Sequence, residues 1–397
     1  MAISLFAVGD VFIDRGDPQG AFRTSGEFLR TGDVVFGNCE GVFSDEWDRA
    51  PTSGPPVVAP NVNARRLAEA GFHVLSMANN HIVDGGHRAM LSARTMLNGL
   101  GIRTAGAGPT YREAHAPAIV ERDGMRVAFL AYSSVFPRGY EARGLVPGLA
   151  AVRAHTHYVA PDPNYWDPAV QPQIRTETLP EDADALVRDV EAARRDADIV
   201  AVSVHWGDMF RAFVVGAHER RIARLAIDAG ADLVLGHHQH MLRGVDFYRG
   251  RPIFYGLGHY VFDLPDLPRR MAEDGVDLPQ VRPEDDVTLH RYRDTYELGP
   301  REGYPLLPFH PDGRLTGVAV VRVDRSGITA VGFCPAVINA DNDPIQVAPD
   351  SEDGKRVLAY LQEACTSEKL PVRFVTPTPD AGLPVGSVQI LPTGATV

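Results

Sequence analysis

The chain has little cysteine, no long apolar run and no excess of basic residues. Three cysteines in 397 residues, Cys39, Cys334 and Cys365, are too few and too scattered for a disulfide framework or a thiolate zinc site. A net charge of −12 argues against a nucleic-acid partner, because the phosphates would be repelled. The sequence has neither a secretory leader nor a run of about eighteen apolar residues. We therefore expect a cytoplasmic protein with no membrane association.

Nucleotide-binding motifs are also missing. No G-x-G-x-x-G follows a predicted strand and no P-loop occurs, so the sequence offers no redox-cofactor site. The apolar content of 44% and charged content of 23% are typical of a globular enzyme. Neither an internal repeat nor a linker divides the chain. We therefore expect one domain over residues 1–397.

Three histidines stand close together at His237, His238 and His240. They follow the apolar run 231–235, which predicts a buried strand, and Gly230 before it predicts the end of a helix. A lone histidine here would more often be structural. Three imidazoles in four residues instead indicate a metal site, because neutral imidazole is a common ligand of transition metals.

Four further apolar runs end in polar residues. Ligands on loops at one edge of a buried sheet would give this pattern. Taken singly, each polar residue has an ordinary explanation as a turn, a cap, a solvated charge or a core histidine. Their shared context favours metal ligands. The runs are residues 1–8, 33–36, 73–78 and 199–204, which lead to Asp10, to Glu40, to Asn80 and His81, and to His205.

Six motifs carry a family resemblance between residues 5 and 263. They are G-D-V-F at 9–12, G-N-C-E-G at 37–41, A-N-N-H-I-V-D-G-G at 78–86, V-H-W-G at 204–207, G-A-D-L-V-L-G-H-H-Q-H at 230–240 and Y-G-L-G-H-Y-V-F-D at 255–263. In these the chain resembles the CapA-like proteins, the poly-γ-glutamate synthesis group of the calcineurin-like metallophosphoesterase superfamily. The resemblance implies an α/β fold, a four-layer α/β/β/α sandwich with a metal centre at the sheet edges.

The resemblance also implies the ligands. One metal would be held by Asp10 and His240, a second by Asn80, His205 and His238, and Glu40 would bridge the two. His237 would be a neighbour. Such a donor set suits one or two divalent ions of Zn, Mn, Fe or Co better than Ca or Mg.

The same resemblance implies a proton-transfer pair, and the chain departs from the family pattern at two positions. His81 corresponds to the acid near the scissile bond, with Asp84 placed to orient its ring. The superfamily usually has Asp-x-His at its first motif, but Phe12 replaces that imidazole here, as it does in the CapA-like branch. His259 stands where the branch usually shows Asn. It is either a titratable group at the rim or a hydrogen-bonded structural histidine.

Two segments are expected as long insertions, about residues 137–181 and 264–313. The first is rich in proline and aromatics and is a candidate substrate lid. The second contains His290 beside arginines and tyrosines, which predicts either a wall for a peptide or a solvated helix. Residues 314–397 predict a hairpin around R-S-G that completes the second sheet, then a helix near 351–364.

Several functions are compatible with this centre. We first expect a metal-dependent peptide epimerase acting at an alpha carbon of a ribosomally made precursor peptide, as in lasso-peptide maturation. Its catalytic groups would be His81, Asp10, Asp84, His290 and His259. The alternatives are a metal-dependent phosphoesterase and an enzyme of poly-γ-glutamate or other amide bonds. A further alternative is a non-catalytic binding module. A metal centre in which every coordination position is filled would favour that alternative.

Overall fold

The computed structural model describes residues 2–159, 173–275, 298, 299 and 301–394. It is a mixed α/β protein built on two central sheets. The strands in the described ranges are β1 Ile3–Phe12, β2 Val34–Cys39, β3 Val42–Phe43, β4 Val58–Ala59, β5 Val74–Ser76, β6 Arg103–Ala105, β7 Ala107–Gly108, β8 Ala118–Arg122, β9 Met125–Ser133, β10 Gly148–Leu149, β11 Ala154–Val159, β12 Gln173–Thr178, β13 Ile199–His205, β14 Leu233–His237, β15 Val245–Tyr248, β16 Arg251–Phe254, β17 His259–Phe262, β18 Leu315–Asp324, β19 Gly327–Ile338, β20 Pro344–Gln346, β21 Val372–Val375 and β22 Val388–Pro392.

The helices connect these strands. In the described ranges they are α1 Gly26–Leu29, α2 Arg65–Ala70, α3 Gly86–Gly99, α4 Tyr111–Ala114, α5 Pro180–Asp196, α6 Ala217–Asp228, α7 Leu267–Glu273 and α8 Glu352–Ser367. The helix predicted near 351–364 is α8, which begins after Ser351, whose side chain accepts a hydrogen bond from the Gly354 N–H. None of the helices in the described ranges is both long and apolar enough to cross a membrane.

Sheet I has the strand order β21-β22-β19-β18-β1-β2-β5-β6, and β17 and β20 pair with β1 and β19. The strands β1, β2, β5, β6 and β17 run parallel, whereas β18 to β22 pair antiparallel. Sheet II has the order β15-β16-β14-β13-β9-β8, with a parallel centre and antiparallel edges. Both sheets are therefore mixed.

The two sheets pack face to face. Phe36 of β2 stacks on Phe129 of β9 with ring centroids 5.1 Å apart. Alternation along β1 sends Ala7 into the cluster between the sheets and Val8 into the cluster beneath α2 and α3. Helices α5 and α6 lie against sheet II. Both faces of sheet I are covered, which explains why every residue of β1 is buried.

The predicted C-terminal hairpin is present and belongs to one of the two central sheets. Strands β18 and β19 pair antiparallel around Arg325 and Ser326. Strand β18 pairs with the first half of β1 over Ile3 to Ala7. That edge of β1 would otherwise carry unpaired backbone groups in the core. The hairpin therefore completes sheet I.

The two predicted insertions are partly described. In residues 137–181, β10 pairs with β7, and β11 pairs with β12 in an antiparallel arm. In residues 264–313, α7 is the described helix. His290, which we proposed as a catalytic group of the second insertion, lies outside the described residues.

The register of sheet I brings three residues of the site together. Asn38, Asp10 and His259 are paired neighbours across β2, β1 and β17.

Candidate metal centre

The candidate ligands converge where strands of both sheets end. Asp10 lies near the end of β1 and Glu40 directly follows β2. His205 ends β13, and His238 and His240 follow β14 from the opposite sheet. All five side chains are buried, none in a residue exposed by more than 6%. Five ionisable groups enclosed together need partners, because burying unpaired charges is costly.

The backbone of the histidine segment is unusual. His238 and His240 have φ angles of +100° and +56°, in the left-handed region that residues with a side chain seldom adopt. Such backbone is held only when the surroundings impose it, and it is concentrated at functional sites. Here it turns both rings toward Asp10 and Glu40, whereas His237 still belongs to β14 and lies between the sheets.

The ligand atoms form two groups that share Glu40. Glu40, His205 and His238 place one ligand atom each within 4.8 Å of one another, and so do Asp10, Glu40 and His240. Glu40 Oε1 lies 3.4 Å from His205 Nε2 and 3.7 Å from His240 Nε2. His240 Nδ1 lies 3.4 Å from Asp10 Oδ2. We call the first group the open half and the second the enclosed half of the centre.

Asn80 adds an amide oxygen to the open half. Its Oδ1 lies 2.7 Å from His205 Nε2. Asn80 is also less buried than the histidines. The structure thus brings together all six residues that the sequence resemblance named as ligands.

The donor atoms fit a divalent transition metal. Both carboxylate oxygens of Glu40 and the Nδ1 atoms of His238 and His240 are buried without a hydrogen-bond partner among the described residues. Native proteins seldom leave so many buried polar atoms unsatisfied. Neutral imidazole and carboxylate are the ligands that Zn, Mn, Fe and Co accept. The two groups could therefore hold metal ions.

The charges in the site favour a cation. Burial lowers the pKa of His205, His238 and His240 well below the ordinary value, so these rings are neutral and present lone pairs. Burial and then the Glu40 charge raise the pKa of Asp10, and burial raises the pKa of Glu40 to about 7. A bound cation would favour both ionised carboxylates.

Two asparagines that the sequence analysis missed support the ligands. Asn38 donates to Asp10 Oδ1 at 2.8 Å and lies 3.2 Å from His205 Nδ1. Asn79 donates to the Cys39 carbonyl at 2.7 Å and accepts from the His81 N–H at 3.1 Å. Their positions inside the G-N-C-E-G and A-N-N-H motifs could have identified them as part of the site. Asn38 therefore orients two side chains that would bind metal, as outer hydrogen bonds commonly do, whereas Asn79 ties the backbone next to Glu40 to the backbone next to Asn80.

His81 lies beside the open half and is held by a chain of hydrogen bonds. Its Nδ1 lies 2.7 Å from Asp84 Oδ2, and Tyr140 donates to Asp84 Oδ1 at 2.8 Å. Burial alone would lower the pKa of His81, but the nearby carboxylates of Asp84, Glu40 and Asp10 outweigh it and raise that pKa. About a quarter of the His81 side chain is exposed, at 24%. The raised pKa favours the charged ring, which suits a group that donates a proton. Tyr140 was not anticipated, because no local pattern marks it.

The two sequence departures lie in an aromatic region next to the enclosed half. Phe12 stacks on Phe43 with centroids 4.8 Å apart. His259 is fully buried, burial lowers its pKa to about 3, and its ring centroid lies 5.7 Å from that of His240. This places His259 in the interior next to Asp10 and away from the rim that the sequence analysis considered.

Comparison with known proteins places these residues in a family. Residues 4–264 match the model of the bacterial capsule synthesis protein PGA_cap. An uncharacterized protein of Sinorhizobium fredii, y4uA, is 30% identical over 72% of this chain and 72% of its own length. The capsule biosynthesis protein CapA of Bacillus anthracis is 26% identical over 66% of this chain and 60% of its own.

Two further similarities are weaker or shorter. A probable polyglutamine synthesis accessory protein of Mycobacterium tuberculosis is 34% identical over 51% of this chain and 48% of its own length. The crystal structure of a hypothetical protein from Thermus thermophilus aligns with 83% of this chain and 97% of that chain at a TM-score of 0.41 and 15% identity, too low to bear on fold or function. Because residues 4–264 match the family model and a relative is 30% identical over 72% of both chains, the chain belongs to the PGA_cap family of bacterial capsule synthesis proteins.

Proposed function

We propose that this protein is a metal-dependent enzyme that acts on amide bonds of a glutamyl or other peptide substrate. The observation that carries the proposal is the Glu40-centred pair of buried ligand groups with His81 beside the more open one. Relatives named as PGA and polyglutamine synthesis proteins support a substrate built from glutamate or glutamine residues. The net charge of −12 favours a short substrate over a long polyanion.

The fold supports the same proposal at a finer level. The layers follow one another as expected of a calcineurin-like metallophosphoesterase sandwich. Helices α5 and α6 cover sheet II, sheet II packs on sheet I, and α2 and α3 cover sheet I. The ligands lie at the strand ends, where this fold would place its metals. We propose this fold type for the chain.

Each residue has a role in the proposed reaction. Asp10, Glu40, Asn80, His205, His238 and His240 would hold one or two divalent transition-metal ions. Such ions would supply Lewis acidity to a substrate carbonyl and to water. Asn38 keeps Asp10 oriented through its 2.8 Å hydrogen bond. Water would attack the carbonyl carbon, the C–N bond would break, and His81 would give its proton to the leaving nitrogen. The proton released by the attacking water would return His81 to its charged form.

Phosphoester hydrolysis is the second candidate, and the His81–Asp84 pair favours it. The same pair would protonate a leaving oxygen instead of a leaving nitrogen. The choice between the two rests on the substrate test below.

Peptide epimerisation, the reaction that the sequence analysis placed first, has less support. It requires two acid–base groups on opposite faces of one alpha carbon. His81 is partly exposed, but Asp10 and His259 are each 0% exposed, and His290 lies outside the described residues. The described part of the site therefore offers one accessible proton-transfer group where the reaction needs two.

One experiment separates the three reactions. Metal-loaded protein is incubated in heavy water with short α- and γ-glutamyl peptides and, separately, with an aryl phosphate, and the products are followed by mass spectrometry. We expect amide cleavage that is lost in His238→Ala and His81→Ala and kept in the exposed control Lys355→Ala on α8. Aryl phosphate turnover without cleavage would establish the phosphoesterase. Deuterium at an alpha carbon without cleavage would establish the epimerase.

A further inference from the structure

We propose that His259 is a ligand of the enclosed half and supplies the imidazole that Phe12 does not. The inference rests on the proposed metal centre and adds to it a residue that is specific to this chain. It would give that half four protein ligands: Asp10, Glu40, His240 and His259. The steps below argue this from register, burial and the neighbouring rings.

The register of sheet I places His259 beside Asp10. Strands β2, β1 and β17 are parallel, and Asn38, Asp10 and His259 are directly paired across them. Paired residues of neighbouring strands project to the same face of a sheet. Asn38 occupies one flank of Asp10 and donates to its Oδ1. His259 occupies the other flank, on the side where the His240 ring lies.

The His259 ring has no hydrogen-bonding explanation in the described chain. The residue is 0% exposed, and neither Nδ1 nor Nε2 has a partner among the described residues. Its ring neighbours are His240, Phe262 and Phe309, at centroid distances of 5.7, 6.2 and 5.3 Å. A buried imidazole with both nitrogens unsatisfied is unfavourable in such apolar surroundings, and a metal ion would satisfy one of them.

Neither of two other residues near Asp10 fits this role. Phe12 is an apolar ring packed on Phe43, and any side chain at Gly41 would collide with it. His237 approaches Asp10 with Nδ1 3.7 Å from Oδ1, the oxygen that Asn38 already uses. His237 belongs to β14 and lies near Phe36 between the sheets, whereas His259 is paired with Asp10 across β17 and β1.

This assignment gives the two halves different coordination. Phe309 lies 4.3 Å from the His240 ring, centroid to centroid, and covers the enclosed half. Four protein ligands under that cover leave no position for a substrate, as in closed metal sites. The open half, next to the partly exposed His81, keeps the position at which a substrate would bind.

The test compares His259→Phe with His237→Phe. Each variant replaces a fully buried imidazole with unpartnered nitrogens by a ring of similar size, on different sides of Asp10. Proteins are stripped with chelator and titrated with zinc, and bound zinc and the number of imidazoles per zinc are measured by plasma mass spectrometry and X-ray absorption. We expect the natural chain to bind about two zinc ions. In His259→Phe one of these ions should bind about tenfold more weakly or worse, and one imidazole ligand should be lost. His237→Phe should keep the imidazole number of the natural chain.

The outcomes are distinguishable. If the natural chain binds no zinc, the proposed metal centre fails and the inference fails with it. If the natural chain binds zinc and His259→Phe keeps the same imidazole number, the inference alone is overturned. Thermal unfolding of the metal-free proteins provides the folding control, because His259→Phe removes two unsatisfied atoms from an aromatic cluster and should not destabilise the metal-free chain. His259→Leu, with the same expected loss of one imidazole, replaces it if the phenylalanine variant does not fold.

Discussion

The enclosed and open halves of the centre share Glu40 but differ in their surroundings. Around His240 the neighbours are the aromatic rings of Phe262 and Phe309, with centroids 4.9 and 4.3 Å away. Around His205 the neighbours are the amides of Asn38 and Asn80, and His81 lies beside them with part of its ring exposed. One half thus has two apolar rings beside it, and the other has polar groups, of which Asn80 and His81 are partly exposed.

The difference suggests a division of labour between the halves. An ion under aromatic cover would exchange slowly with solvent and would help to hold the loop after β14 in its left-handed conformation. An ion beside Asn80 and His81 has neighbours that can position and protonate a substrate. Glu40 couples the two, because its oxygens are the ligand atoms common to both groups. The predictions below test this division, beginning with the residue that the halves share.

Replacing the shared carboxylate should have the largest effect. Glu40→Ala removes a ligand from both halves, so we expect loss of both ions and a fall in turnover of about 1000-fold or more. Bound metal and initial rates are measured together. The control is Glu46→Gln, an exposed carboxylate six residues away. Retention of two ions in Glu40→Ala would contradict the bridging role.

Replacing His81 should affect chemistry and leave the ions in place. We expect His81→Ala to reduce turnover by about 100-fold or more, because the proton donor is lost, while metal content stays that of the natural chain. A substrate whose leaving group needs no proton, such as the nitrophenyl ester of the same acyl group, should be far less sensitive. An equal loss for both substrates would remove His81 from the role of acid.

Replacing Tyr140 should have a smaller effect on the same half. Tyr140→Phe removes the hydrogen bond to Asp84 that helps to orient His81, so we expect kcat to fall about tenfold with little change in KM or metal content. The matched control is Tyr132→Phe, which removes a similar hydrogen bond to Asp189, away from the centre. A change in metal content would show that Tyr140 acts on the ligands instead.

Opening the enclosed half should have the smallest effect on turnover. Phe309→Ala removes one aromatic wall beside His240 and His259. We expect one of the two ions to be lost to chelator about tenfold faster, with turnover under saturating metal nearly unchanged. The time course of metal release is followed with a chromogenic chelator. Equal release of both ions before and after the change would argue against separate halves.

Local sequence patterns were sufficient to bring out four of the candidate ligands. Asp10, Glu40, His205 and His238 each lie near, at or just after the end of a buried strand, and parallel strands bring their carboxyl ends to one edge. The sequence could not show which sheet β18 would join, because that depends on the free edge of β1 far away in the chain. Pairing across distant segments is decided by packing and not by local pattern.

Contacts that support the ligands were also beyond the sequence. Tyr140 reaches Asp84 across 56 residues, from a segment whose composition indicated only a loop. The surroundings of His259 depend on Phe309, fifty residues later, and on the register between β1 and β17. Such contacts leave no periodic signal, so the roles of Tyr140 and His259 became visible only with the fold.

Anomalous diffraction from crystals grown with Mn²⁺ tests the two-halved centre most directly. We expect two anomalous peaks that share Glu40, one beside Asp10 and His240 and the other beside Asn80, His205 and His238. The first should lie in the aromatic region under Phe309, and the second should keep an open position toward His81. Two fully enclosed ions, or no peak at these residues, would contradict the account.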